Sequence, residues 1–246
     1  MNASEYVTLH PEETIKADLH KSIRSWTITL IIFGGLSFFV NKLFDPGWGI
    51  VLITVAILSW KIRTPAMFII YGVLMGWTAL NNIFAAISGE IWWLGLALLQ
   101  VIWTVSVLRR YKKFCHLQTR DEVKVLGNFG KASGIISIAC MVLPPASCLG
   151  VFTYILTLGE AALVSPSPQL QQLMETYFTY VFTFANLALL ALGLGIAAMT
   201  AKHNHKGWAV AGIVMSSIIL AGWTLLSILG TIGLMLDQNG VLPSNV

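Results

Sequence analysis

Four carboxamides, Asn81, Asn82, Gln100 and Asn186, are the strongest polar groups inside the long apolar stretches of this sequence. A carboxamide offers two donors and an acceptor oxygen, so it can hold an amide or a hydroxyl without carrying charge. Unpaired in hydrocarbon it is costly, and each of the four is therefore expected to face another helix. Interhelical hydrogen bonds of this kind contribute about 0.6–2 kcal/mol. Helix packing is the expectation, and a solute or ion site is the alternative. Asn81 and Asn82 lie close to one end of their stretch, within reach of water.

Other chemistry is thinly provided. Apart from Lys42 at the very end of the first, no apolar stretch holds Asp, Glu, Lys, Arg or His. Ionisable groups inside a membrane mark ion pathways and proton relays, and a buried hydrolase needs a general base. Coupled transport and intramembrane acid–base catalysis are both disfavoured. Cys140 and Cys148 stand eight residues apart on one stretch, about 12 Å along a helix and too far for a disulfide. With Cys115 in a polar segment, three free thiols are expected. Cys115-His116 and His203-Asn204-His205 lack the CxxC or HxxxH spacing of a metal site, so no metal and no cofactor is expected. There is no phosphate-binding loop or nucleophile elbow. An enzyme acting on lipid through His116, His203 or His205 remains a minor alternative.

The elements that must position these residues follow from composition. Of 246 residues, 56% are hydrophobic and 11% charged, against about 25% charged in a soluble domain; the mean hydropathy is +0.76. This excludes a soluble globular chain, a disordered chain and a nucleic-acid binder with a broad basic surface. The first 25 residues contain no apolar run of the signal-peptide kind. Apolar stretches then run over Trp26–Leu43, Gly47–Trp60, Ala66–Ile87, Ile91–Leu108, Ala132–Leu158, Thr176–Ala201 and Trp208–Leu236. The second, at 14 residues, falls short of the ~20 that cross a bilayer. Asp45-Pro46-Gly47 and Lys61-Ile62-Arg63-Thr64-Pro65 bound it as breaks, and a re-entrant segment is the alternative to a short span.

Basic residues are enriched in cytoplasmic loops. Seven spans with a cytoplasmic N-terminus place 14 of the 15 basic residues inside, all but Lys42. Dropping the second span puts either the N-terminus or the most basic loop outside. The expectation is an all-α polytopic membrane protein of about seven transmembrane helices, N-in and C-out. Trp26, Trp48, Trp60, Trp92, Trp93 and Trp208 sit at span ends, where indoles favour the headgroup layer.

The chain divides at its basic loop, Arg109–Lys131. Residues 1–25 form a cytoplasmic segment in which Ile15, Leu19 and Ile23 recur opposite Lys16, Lys21 and Arg24, an amphipathic helix expected on the inner leaflet. Residues 26–108 form a four-helix module of two hairpins, 132–236 a three-helix module, and 237–246 a short outer tail. In the outer loop Gly159–Glu175, a turn followed by a short surface helix, Gln169–Glu175, is expected. Gly72 and Gly76 form a GxxxG motif, and Ala191 and Gly195 a milder one; both suit close helix packing, inside the protein or across a homodimer. Pro144-Pro145 predicts a kink or break in the fifth span. Arg109, Arg110, Lys112 and Lys113 are candidates for anionic lipid headgroups.

Three segments resemble a known family. Lys131-Ala132-Ser133-Gly134-Ile135-Ile136-Ser137-Ile138, Leu192-Gly193-Leu194-Gly195-Ile196-Ala197-Ala198 and Lys206-Gly207-Trp208-Ala209-Val210-Ala211-Gly212-Ile213-Val214 are similar to motifs of the domain of unknown function 4190 family of bacterial membrane proteins. The resemblance covers roughly residues 130–235, and the outer loop with Pro166 and Pro168 departs from the compact family pattern. It implies architecture and a bacterial cytoplasmic membrane, and no activity. The functional expectation is a non-enzymatic scaffold, assembly or accessory subunit, whose partners are membrane lipids, a protein or a second copy, and not nucleic acid. The alternative is a passive channel or uncoupled carrier for a small neutral or lipophilic solute.

Overall fold

The computed structural model describes residues 11–39, 46–87, 91–117, 120–158, 167–200 and 206–238. Among them there is no strand. The α-helices are α1 (Pro11–Phe39), α2 (Pro46–Lys61), α3 (Met67–Ile87), α4 (Trp93–Phe114), α5 (Arg120–Leu158), α6 (Pro168–Met199) and α7 (Lys206–Gln238), with a single 3-10 turn at Cys115–Leu117. Four stretches are long and apolar enough to cross a membrane: Met67–Ile87, Trp93–Leu117, Val123–Val151 and Lys206–Leu225. Gly47–Lys61 and Thr183–Met199 are apolar but shorter. The 16 residues of α2 rise about 24 Å, less than the ~30 Å of hydrocarbon.

Adjacent helices pair as hairpins, α1 with α2 and α3 with α4, while α5, α6 and α7 pack mutually. Helix α6 also contacts α2 and α3, and so joins the two halves. At the first turns of α3 the core is aromatic. Phe68 stacks on Phe114 with centroids 6.1 Å apart, and Tyr71 stacks on Trp26 at 5.8 Å. The turn before α3 is closed by the Met67 amide donating to the Thr64 carbonyl at 3.1 Å, consistent with the break expected at Thr64-Pro65.

Several local expectations are corrected. The basic segment Arg109–Lys131 is mostly helix rather than loop, because α4 continues to Phe114 and α5 begins at Arg120. Lys, Arg and Leu are good helix formers, and Lys112 and Lys113 in the last turn of α4 meet the negative end of its dipole. The amphipathic segment, expected to run into the first apolar stretch, forms one 29-residue helix with it. Leu19 and Ile23 are buried in the protein's own core, so that face is covered by protein instead of lying on a leaflet. Gln169–Glu175 is not a separate surface helix but the opening of α6, which Ser167 caps by accepting from the Leu170 amide at 3.3 Å. Of the kink or break expected at Pro144-Pro145, the break is absent, since α5 runs through both prolines. The prolines remove two amide donors, and the Pro144 carbonyl accepts from the Ser147 hydroxyl at 2.8 Å and the Tyr177 hydroxyl at 3.3 Å.

Candidate functional site

The carboxamides meet. Asn82 on α3 donates its Nδ2 hydrogen to Oε1 of Gln100 on α4 at 2.8 Å. Asn81, Asn82, Gln100 and Asn186 all line one cavity of about 280 Å³. Trp77, Trp93 and Trp103 join them from the α3–α4 hairpin, Trp48 from α2 and Phe33 from α1. Asn186 enters from α6 because that helix packs on both α2 and α3. The pocket lies toward the C-terminal end of α3 and the N-terminal half of α4. Gln100 is ten residues before Arg110, about 15 Å along the helix, so the cavity sits away from the basic end of the bundle.

Among the described residues no Asp, Glu, Lys, Arg or His lines it, so the wall they form is neutral. The hydroxyl of Thr78 in its wall donates to the Leu74 carbonyl at 2.6 Å. Neighbouring Thr104 donates to the Gln100 carbonyl at 2.8 Å. Those protons are thereby spent on the helices themselves. By contrast, the Gln100 amino group, the Asn82 carbonyl oxygen and the Asn81 amide make no hydrogen bond among the described residues. Trp103 is held edge-on by Trp26 at 6.2 Å and by Phe33 at 6.2 Å. Trp93 stacks on Trp92 at 3.9 Å. Rigid indole faces beside amide donors and acceptors suit a solute with an apolar body and a hydroxyl or amide edge.

The small-residue motifs lie inside the protein. A Cβ on Gly72 would stand 3.2 Å from Leu108 Cδ2, and one on Gly76 3.9 Å from Thr104 Cγ2, so the GxxxG face carries α4. The Ala191 carbonyl accepts from the Ser133 hydroxyl at 2.6 Å. A Cβ on Gly195 would come within 2.8 Å of both Ile213 Cγ1 and Ser133 Oγ. Sequence reasoning missed the serines that complete this seam. Ser137 is 2.7 Å from Ser216, hydroxyl to hydroxyl, and 3.1 Å from the Gly212 carbonyl. Serine at a position facing glycine was the available signal, since small-xxx-small faces recruit hydroxyls.

The remaining candidates lie apart from the pocket. Pro144 and Pro145 are on α5, which contributes nothing to its lining. Arg109, Arg110 and Lys113 line a second groove with α1, and Lys112 is not among its lining residues. Cys115 is an exposed and Cys140 a buried free thiol; the Cys148 side chain, His203 and His205 lie outside what is described. Among the described residues no three metal-ligating side chains cluster. No protein-family model, curated protein or solved structure matches the chain.

Proposed function

We propose that this chain spans a bacterial cytoplasmic membrane seven times, N-in and C-out. We further propose that its carboxamide–tryptophan pocket binds a small neutral solute and passes it without ion coupling. The observation that carries the reading is the convergence of Asn81, Asn82, Gln100 and Asn186, from three helices, on one cavity that no ionisable group lines among the described residues. Beyond the Asn82–Gln100 bond, amide donors and acceptors remain available to a solute beside aromatic walls. The volume of about 280 Å³ is just below the ~300 Å³ at which drug-sized sites begin, and fits a solute no larger than a single sugar or an indole ring.

Proteoliposomes tested by stopped-flow light scattering should admit at least one of glycerol, urea and erythritol faster than empty liposomes. Asn186→Leu should cut that rate tenfold or more. Entry no faster than in empty liposomes for all three overturns the carrier reading and favours the scaffold.

The topology has its own check. With Cys140 and Cys148 replaced by alanine, exposed Cys115 should react with a membrane-impermeant maleimide in inside-out vesicles and not in intact cells. Labelling in intact cells reverses the orientation.

A further inference from the structure

We propose that the groove between α1 and α4 is a binding site for one anionic phospholipid. This rests on the membrane-spanning reading and is independent of the solute pocket. The groove has a volume of about 870 Å³. At its polar end stand Lys21 from α1 and Arg109, Arg110 and Lys113 from α4, four cations against one carboxylate, Asp18, among the described residues. Positions 101, 105 and 109 of α4 repeat every four residues and share one face. The same face therefore turns from Val101, Ile102 and Val105 to the basic cluster within two turns. Those three side chains are 44%, 64% and 43% exposed. A phosphate beside guanidinium and ammonium groups, with an acyl chain along the Val101–Val105 wall, matches that order of charge and apolar surface.

The polar end is held open by light ties. Lys113 Nζ lies 3.4 Å from Asp18 Oδ2, with both side chains more than half exposed, and Arg110 Nη1 donates to the Ser22 hydroxyl at 2.7 Å. Lys21 and Arg109 have no hydrogen-bond or ion-pair partner among the described residues. Among the described residues two cations are thus uncommitted at the mouth of the groove. The Ser22, Ser25 and Ser106 hydroxyls along it can donate to phosphate or glycerol oxygens. A free anion would use the cations and leave the apolar wall bare, whereas a phospholipid uses both.

The test is native mass spectrometry of the full chain in dodecyl maltoside, titrated with dioleoyl phosphatidylglycerol, dioleoyl phosphatidylcholine and inorganic phosphate. Phosphatidylglycerol should bind at least tenfold more tightly than phosphatidylcholine. Lys21→Gln with Arg109→Gln should weaken it roughly 25-fold, about 2 kcal/mol. Lys112→Gln, off the groove, should bind as wild type does. Equal binding of the two lipids overturns the proposal, as does undiminished binding by the double variant. Displacement of the lipid by millimolar phosphate also overturns it, making the groove a plain anion site. Should the double variant not fold, Ser106→Phe, which fills the groove without changing its charge, must lower phosphatidylglycerol binding, and its failure to do so overturns the placement.

Discussion

Gly212→Val is expected to unlock the α5–α6–α7 bundle and lower the melting temperature by about 6–12 °C, the largest effect of any single substitution proposed for this chain. A Cβ at Gly212 falls onto the Ser133 hydroxyl oxygen and within 2.8 and 2.9 Å of Ser133 C and Cβ. Two of those atoms are backbone or fixed to it, so no rotamer change relieves the clash and α5 must move away from α7. The separation also loosens the bond from Ser137 to the Gly212 carbonyl and the Ser137–Ser216 pair. Overpacking and lost interhelical bonds together come to about 3 kcal/mol, and each kcal/mol shifts the midpoint by about 2–4 °C at this chain length. Lipid-facing chains gain nothing by leaving hydrocarbon, so contact quality is what holds membrane helices together. Gly222 is the control: on the same helix, a Cβ there meets nothing within 4 Å, and Gly222→Val should melt with wild type in a detergent thermal-shift measurement. A wild-type melting curve for Gly212→Val would show that α5 and α7 do not approach at this seam.

The second large effect separates glue from site. Asn82→Leu leaves Gln100 without its donor, and Gln100→Leu leaves Asn82, only 9% exposed, without its acceptor. Orphaning buried Asn82 costs about 2 kcal/mol, or roughly 4–8 °C of melting temperature, and orphaning half-buried Gln100 costs less. The double substitution orphans neither, so it should be at least as stable as either single variant, because replacing both partners of a hydrogen bond by apolar groups is nearly neutral. It should nevertheless lose tenfold or more of the solute flux, since the cavity then keeps its indole walls and loses two of its four carboxamides. Thermal shift and flux, measured on all three variants, decide the matter. Full flux in a stable double variant would reduce these amides to packing.

Much of this architecture is legible residue by residue. A helix is closed by bonds within its own segment, so apolar length, the break at Thr64-Pro65 and the small-residue faces at Gly72, Gly76, Ala191 and Gly195 are all local properties. Local reading fails where a neighbour decides the outcome. Arg109–Lys131 reads as loop by polarity, yet its described residues are mostly helix because they favour helix and their charges suit the helix ends. Leu19 and Ile23 show an apolar stripe in sequence, but only packing shows that protein covers it.

The candidate site divides in the same way. Each of the four carboxamides stands out alone, because an amide among apolar residues must find a partner. The sequence by itself therefore determined that they carry no charge, whereas the structure buries Asn82, half-buries Gln100 and Asn186, and leaves Asn81 exposed. Tertiary structure alone decided that Asn186 joins Asn82 and Gln100, more than 80 residues away, in one cavity. That juxtaposition depends on α6 packing against both halves of the protein. No periodicity within a single helix encodes which neighbour it will touch, since that choice is settled by the fit of whole helix faces at close range.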